Sequence, residues 1–422
     1  MEPRVTAHAL DPMSPAGRAL AWEGRPFPRR IGVFGSTGTV GLGGLAVARA
    51  HPDRFVVEAL AAGRNVRALA AQVKEFAPRM VVVADDTARG ELLQLTDLDP
   101  ACVRVGAAGL EETAAAPLDV LLQAVAGAAG LPATLGAVEA GTPLALANKE
   151  SLVLAGELVA ARARATATPI LPVDSEHAGL FQCLAGLASG RTIARLILTA
   201  SGGPLRGRAD WADATPADVL AHPVWRMGDR ITVDSALLLN KGLELIEAHA
   251  LFGVPYDALD VVVHPQAIVH ALVECVDHST VAQLSVPDMR LPIQMALAWP
   301  ERLPATVPAL DLAALGRLEF EAVPEGRHPA FDLARRAART GGTAPAILNA
   351  ADEVAVEAFL AGRIRLGDVP ALVAAALDTC AVESEQTLAS IARADSAARA
   401  AVTTELGRRG ALGVASRGDG RG

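Results

Sequence analysis

The chain has 422 residues, too many for one compact core, so two or three domains are expected. A formal net charge of −9 and the lack of any long basic block argue against nucleic acid as a partner, whereas a small anionic ligand needs only local positive charge. Apolar residues make up 51% but aromatic ones only 3%, so packing must come from aliphatic side chains, and no run reaches the length of a membrane span. Residues 1–29 carry Pro, Arg and acids where a signal peptide needs an apolar core; they read as a disordered N-terminal extension.

Residues 30–34 form an apolar strand that runs into Gly35-Ser-Thr-Gly-Thr-Val-Gly41, and residues 42–50 have helical character. Strand, glycine turn and helix start, in that order, make the phosphate-binding corner of a dinucleotide fold, although the G-x-x-G-x-x-G spacing is a variant of the usual fingerprint. A second strand at 55–61 ends in Ala62-Gly63-Arg64-Asn65. An acid there would bind a ribose 2′-hydroxyl; an Arg accommodates a 2′-phosphate, so Arg64 points to NADP(H). Strand or core segments at 80–84, 119–126 and 143–147 alternate with Ala-rich helical stretches, which implies a doubly wound sheet. The last of them ends in Leu146-Ala-Asn-Lys-Glu-Ser151. Asn148, Lys149 and Glu150 there are candidates for joining cofactor to substrate, or else a helix-capping turn with exposed charges.

Next comes Pro172-Val-Asp-Ser-Glu-His177, after a short buried strand at 170–173. In extended backbone Asp174 and Glu176 would point the same way, a pair suited to a hard divalent cation that takes oxygen ligands. The competing reading is a helix start, with Asp174 or Ser175 as N-cap and the acids favoured by the dipole. A strand at 192–199 then leads to Ala200-Ser-Gly-Gly-Pro204, an anion nest with Ser201 as an extra donor, or an ordinary turn. Residues 221–228 have no period and read as a mobile loop. On a helix over 237–248, Asn240, Lys241 and Glu244 share a face with Glu247 one turn on. They could bind phosphate and metal, or Lys241 and Glu244 could be a surface ion pair. Segments 261–270 and 281–286 complete a mixed sheet, with His264 and His270 as core or interface residues. Four prolines in 299–326 mark a linker, and 331–340, 344–361 and 370–380 read as amphipathic helices. The Gly-, Arg- and Ser-rich end from residue 408 reads as disordered. Cys102, Cys183, Cys275 and Cys380 have no paired spacing and fit reduced thiols in a cytoplasmic protein.

Together these motifs, with His222-Pro-Val-Trp-Arg-Met-Gly228, Asp234-Ser-Ala236, Asn240-Lys-Gly-Leu-Glu244 and His264-Pro-Gln266, resemble the 1-deoxy-D-xylulose 5-phosphate reductoisomerase family over about residues 30–399. The resemblance implies Asp174, Glu176 and Glu244 as ligands of Mg²⁺, Mn²⁺ or Co²⁺. It implies Lys149, Ser175, Glu176, Ser201, His222, Ser235, Asn240, Lys241 and Glu244 as substrate contacts. It also implies Thr37, Gly38, Thr39, Val40, Gly63, Arg64, Asn65, Asn148, Glu150 and Gly228 around NADPH. Asp174, Glu176, Glu244 and Lys149 would be catalytic, with Lys149 polarising or protonating a substrate oxygen. Leu237, Ala267, Leu205 and Asp352 stand where the family usually has Thr, Ser, Phe and Asn; the Ala267 change removes one polar group near the phosphate.

The implied fold is α/β, with a Rossmann-like NADPH domain at 30–173, an α+β catalytic and dimerisation domain at 174–298, a linker at 299–325, a helical domain at 326–407 and a tail at 408–422. The implied activity is rearrangement and NADPH-dependent reduction of 1-deoxy-D-xylulose 5-phosphate to 2-C-methyl-D-erythritol 4-phosphate, by a homodimer, in non-mevalonate isoprenoid biosynthesis. In this frame residues 222–228 form a lid: His222 meets the phosphate, Trp225 covers the carbon skeleton and Met227 lies toward the nicotinamide. A static hairpin with Trp225 in the core competes with it. Two other functions compete with the enzyme reading. A plain NADP-dependent dehydrogenase leaves the three carboxylates idle, and a catalytically silent NADP-binding protein would be expected to have lost part of that triad.

Overall fold

Strand β1 (Arg29–Phe34) lies at the heart of a seven-stranded parallel sheet whose order is β4-β3-β2-β1-β5-β6-β7. The computed structural model describes residues 8, 10–187, 192–221, 223–225 and 228–418. The other strands are β2 (Phe55–Ala61), β3 (Met80–Val83), β4 (Val103–Val105), β5 (Val120–Gln123), β6 (Leu144–Leu146) and β7 (Ile170–Pro172). Ile31, Val33, Phe34, Val120, Leu121 and Leu122 are all fully buried, as continuous apolar strands must be when helices cover both faces. The order reverses direction between β1 and β5, and Phe34 is in register with both Ala61 and Gln123. The turns leaving β1, β2 and β5 therefore meet at one edge, the crevice where open α/β sheets hold ligands.

A second sheet runs β11-β10-β8-β9, from β8 (Ile193–Ala200), β9 (Leu259–Val263), β10 (Val269–Cys275) and β11 (Thr280–Leu284). Strand β10 is antiparallel to both β8 and β11. Helix Ser175–Ala185 lies against it through Gly179, where a Cβ would stand 3.0 Å from that of Ala271.

Contacts divide the chain into two compact units. The first is Met1–Leu152, Gly156–Thr199 and Glu247–Phe320; the second is Val153–Ala155, Ala200–Ile246 and Glu321–Gly422. Helix Lys149–Thr166 departs from helical geometry at Ala155, where one of these divisions falls. The second unit is helical, with Pro329–Thr340, Ala344–Leu360, Asp368–Thr379 and Leu388–Gly418 at its C-terminal end. Scarce aromatics make it a close-packed alanine core: Ala346, Ala350, Ala351, Ala355 and Ala358 are fully buried, and a Cβ on Gly242 would lie 2.3 Å from that of Ala334.

Two expectations are corrected. Described residues of the stretch up to Arg29 are ordered: Ser14 caps helix Pro15–Leu20, whose Ala16 and Ala19 are fully buried, and Arg29, the first residue of β1, donates to the Leu297 carbonyl at 2.7 Å. Six residues, Pro15-Ala-Gly-Arg-Ala-Leu20, give too short a periodic signal to be read as a helix. The last helix continues through Gly418, so the end expected to be disordered from Arg408 is helical as far as that residue. Among the described residues no helix is long and apolar enough to cross a membrane.

Candidate active site

The glycine turn after β1 is built by close approach. Gly35 has φ +76°, and a Cβ there would lie 2.2 Å from the Ala124 carbonyl oxygen at the end of β5; one on Gly41 would lie 2.2 Å from the Gly35 oxygen. Gly38 differs, because its Cβ would find nothing nearer than 3.4 Å. Gly38 is the N-cap of helix Thr39–Ala50 and, like Thr39, is exposed, so backbone N–H groups and the positive end of a dipole face open space. Ser36 is pinned from behind by Gln72, whose Nε2 donates to the Ser36 carbonyl at 2.9 Å and whose Oε1 accepts from Ser36 Oγ at 2.7 Å. Gln72 was not legible in the sequence, since a polar residue in a helix reads as solvated until its burial is known. Gly63, Arg64 and Asn65 are exposed at the end of β2, with nothing within 4 Å of a Cβ on Gly63. Asn65 also caps helix Val66–Phe76 by accepting from Ala68 N. This turn can take a pyrophosphate, with Arg64 placed for a further phosphate.

At the end of β6, Asn148 is the N-cap of helix Lys149–Thr166: its Oδ1 accepts from Ser151 N, while Nδ2 donates to the Gly127 carbonyl at 3.0 Å and to Glu150 Oε2 at 2.8 Å. The alternative reading describes the cap at Asn148. It fails for Lys149, which is buried rather than exposed and whose Nζ stands 2.7 Å from Asp174 Oδ2.

The acidic hexapeptide is corrected in conformation. Asp174 and Glu176 do not share one face of an extended strand; β7 stops at Pro172, Asp174 is the N-cap of helix Ser175–Ala185, and Glu176 lies in its first turn. The helix dipole favours both anions there. Ser175 Oγ donates to Glu176 Oε2 at 2.5 Å. His177, fully buried and stacked on Phe252, puts Nδ1 3.6 Å from Asp174 Oδ1 and 3.6 Å from Glu247 Oε2. Asp174, His177 and Glu247 each offer one ligand atom, all within 4.8 Å of one another. His177 and the fully buried Glu247 were absent from the expected site. The i+3 spacing from Glu244 was the available signal for Glu247; His177 closes the acidic hexapeptide, where no role was expected of it. Carboxylate oxygens at a helix N-terminus, partly exposed at Asp174 and Glu176, are a donor set for a hard cation such as Mg²⁺.

In the second unit, Gly202 and Gly203 both have positive φ, and Ser201 Oγ accepts from Gly203 N at 3.2 Å. A Cβ on Gly203 would lie 2.5 Å from the Ser235 carbonyl oxygen, so this turn is seated directly on the end of helix Asp229–Ala236. The chain then breaks at Leu238, φ +59°, before helix Leu239–Phe252, a discontinuity that the expected single helix over 237–248 lacked. On the new helix Asn240 Nδ2 and Lys241 Nζ both donate to Glu244. This ion pair is buried, with Lys241 4% and Glu244 1% exposed, and is not the surface pair of the alternative. Gly228 is the exposed N-cap of helix Asp229–Ala236, and Ser235 is half-buried. Trp225 is half-buried too, whereas His222, Arg226 and Met227 lie outside the described residues. His264 is a core residue, its Nδ1 2.7 Å from the Glu319 carbonyl oxygen. Of the departures from the family pattern, Leu205 and Leu237 are buried apolar side chains, and Ala267 holds φ +51°.

Three family profiles match the chain: 1-deoxy-D-xylulose 5-phosphate reductoisomerase over residues 31–156, its C-terminal domain over 170–252, and the DXP reductoisomerase C-terminal domain over 284–401. The 1-deoxy-D-xylulose 5-phosphate reductoisomerase of Xanthomonas campestris pv. campestris (strain B100) is 50% identical over 378 residues, covering 88% of this chain and 95% of the relative. That of Anaeromyxobacter sp. (strain K) is 50% identical over 373 residues, covering 86% and 94%. Among solved structures, a DOX-P reductoisomerase in complex with NADPH, fosmidomycin and magnesium superposes with a TM-score of 0.84 at 38% identity, covering 90% of this chain and 98% of that one. The Zymomonas mobilis enzyme in complex with NADPH gives 0.84 at 40% identity, covering 90% and 99%. With these matches over nearly all of the two sheets and the helical end, the chain belongs to the 1-deoxy-D-xylulose 5-phosphate reductoisomerase family.

Proposed function

We propose that this protein converts 1-deoxy-D-xylulose 5-phosphate to 2-C-methyl-D-erythritol 4-phosphate with NADPH and a divalent cation, as a homodimeric cytoplasmic enzyme of isoprenoid biosynthesis. The observation that carries the reading is the partly exposed carboxylate pair Asp174 and Glu176 with Lys149 Nζ 2.7 Å from Asp174, in a chain whose relatives bear this enzyme's name. When bound, the cation supplies Lewis-acid charge for the carbon–carbon rearrangement and NADPH supplies the hydride.

The residues of the chain do the holding. Asp174 and Glu176 are ligands for the cation, with Glu244 of helix Leu239–Phe252 as the third. Lys149, whose Nζ stands 2.7 Å from Asp174 Oδ2, is the group placed to polarise or protonate a substrate oxygen. Ser175 is the remaining contact at that helix start. Ser201 and Ser235, whose segments touch without slack, and Asn240, Lys241 and His222 receive the substrate phosphate. Thr37, Gly38, Thr39 and Val40 hold the pyrophosphate of NADPH on the helix N-terminus; Gly63, Arg64 and Asn65 hold its 2′-phosphate end, and Asn148, Glu150 and Gly228 complete its contacts. The loop containing Trp225 closes over the substrate as a lid.

The test is NADPH oxidation with 1-deoxy-D-xylulose 5-phosphate, with and without Mg²⁺ or Mn²⁺ after chelation. Turnover that requires both substrate and metal is expected. Oxidation indifferent to a chelator would leave a plain dehydrogenase, and binding of NADPH without turnover a silent binding protein.

A further inference from the structure

Helix Asp229–Ala236 spans eight residues, too few to be stable by itself, yet it carries Gly228 at its start and Ser235 near its end. One guanidinium ties it down. Arg230 donates from Nη2 to Asn349 Oδ1 at 2.8 Å and to Asp352 Oδ2 at 3.0 Å, and from Nε to Asp352 Oδ2 at 3.3 Å. Its Nη1 donates to Glu353 Oε1 at 2.6 Å, and Nε lies 3.7 Å from Asp234 Oδ2 on its own helix. Asn349 and Asp352 are fully buried on helix Ala344–Leu360. Glu353 also accepts from Arg399 of helix Leu388–Gly418, and Arg399 Nε donates to Asp395 at 2.8 Å. Three helices of the second unit thus meet on one ionic knot.

Such a knot is a poor source of stability. Burial drives the Asp352 carboxyl above its usual range against the pull of Arg230, and well-packed apolar side chains would join the helices as firmly. What a planar, five-donor fork adds is orientation. The orientation matters because the Ser201-Gly-Gly turn rests on Ser235 with no room for a Cβ at Gly203. A small rotation of the Asp229 helix would separate the two serines or collide with that turn.

We propose that Arg230 and Asp352 are positioning residues that fix Ser235 against Ser201 for the phosphate of the substrate, an inference that rests on the reading of these serines given above. The test compares Arg230→Gln and Asp352→Ala, which break the knot, with Arg230→Lys and Asp352→Asn, which keep a donor or an acceptor in place. The breaking variants are expected to raise KM for 1-deoxy-D-xylulose 5-phosphate about 10-fold or more while KM for NADPH moves less than about 2-fold, and the conservative variants to recover most of the loss. Circular dichroism reports whether each variant is folded, and the conservative pair keeps the comparison available if a breaking variant is not. In parallel, calorimetric titration with inorganic phosphate on all four variants and the parent protein should show the same ranking. A substrate KM and a phosphate affinity that stay within about 2-fold of the parent in both folded breaking variants would overturn the proposal. So would conservative variants as impaired as the breaking ones. A parent protein without turnover would instead overturn the proposed function, and the phosphate titration would still decide this inference.

Discussion

The open edge of the parallel sheet and the Arg230 knot are made from the same residue types with different degrees of exposure. At the sheet edge Arg64 is exposed, a Cβ on Gly63 would touch nothing within 4 Å, and Asp174 and Glu176 are partly exposed at a helix N-terminus. In the knot Asp352 is fully buried, and Arg230 meets three residues of helix Ala344–Leu360 at 3.3 Å or less. An arginine or a carboxylate that stays in reach of water can take a ligand; one buried among the side chains of neighbouring helices sets geometry instead. Glycines show the same contrast within one turn, for Gly35 and Gly41 are closed by backbone and Gly38 is open.

The sharpest way to break this comparison is Asp174→Asn. Turnover with 1-deoxy-D-xylulose 5-phosphate should drop about 100- to 1000-fold, because a charge meant for the cation is gone. The thermal midpoint in the presence of a chelator should hold, and a lowered midpoint with retained activity would make Asp174 a structural residue only. Next in size is Gly41→Ala, expected to cost about 3 kcal/mol through overlap with the Gly35 oxygen, against at most about 1 kcal/mol for Gly38→Ala at the open N-cap. Chemical denaturation measures both, and equal costs would erase the distinction between closed and open glycines.

Arg64→Asp should shift the ratio of NADPH to NADH efficiency by about 10- to 100-fold toward NADH, read as kcat/KM for each cofactor. An unchanged ratio would show that Arg64 is merely solvated.

The smallest effect concerns pH. Burial, the largest influence on Asp352, raises its carboxyl in the folded protein. The native state therefore keeps a proton that the unfolded chain releases, and this contribution to stability falls as pH rises from the ordinary Asp range through the raised value. Asp352→Asn has no such titration, so its Tm should decline less than the parent's from about pH 4 upward. Parallel curves would place the titration elsewhere.

Much of the architecture was legible without coordinates. Apolar segments at 30–34, 55–61, 80–84 and 119–126 alternate with helical stretches, so a doubly wound sheet follows from pattern alone; the strand at Phe55–Ala61 agrees to the residue. The glycine turn and Arg64 were readable for a related reason: positive φ, close approach and phosphate charge each demand particular residue types at particular spacings. The hexapeptide was readable as chemistry but not as conformation, since Asp-Ser-Glu suits a strand end and a helix N-terminus about equally, and only the halt of β7 at Pro172 decides.

What the amino-acid order determined by itself was therefore local: periodicity, caps, turns and the identity of the charged groups. Tertiary structure alone decided which charges lose their water and which groups they meet. Lys241 and Glu244, an ordinary i, i+3 pair by sequence, become a buried pair. Gln72 becomes a brace for Ser36, and Asp352 finds Arg230 across 122 residues. Burial is a property of the packed chain, and the cost of removing a charge from water, which decides whether it binds, positions or only dissolves, exists once that packing is complete.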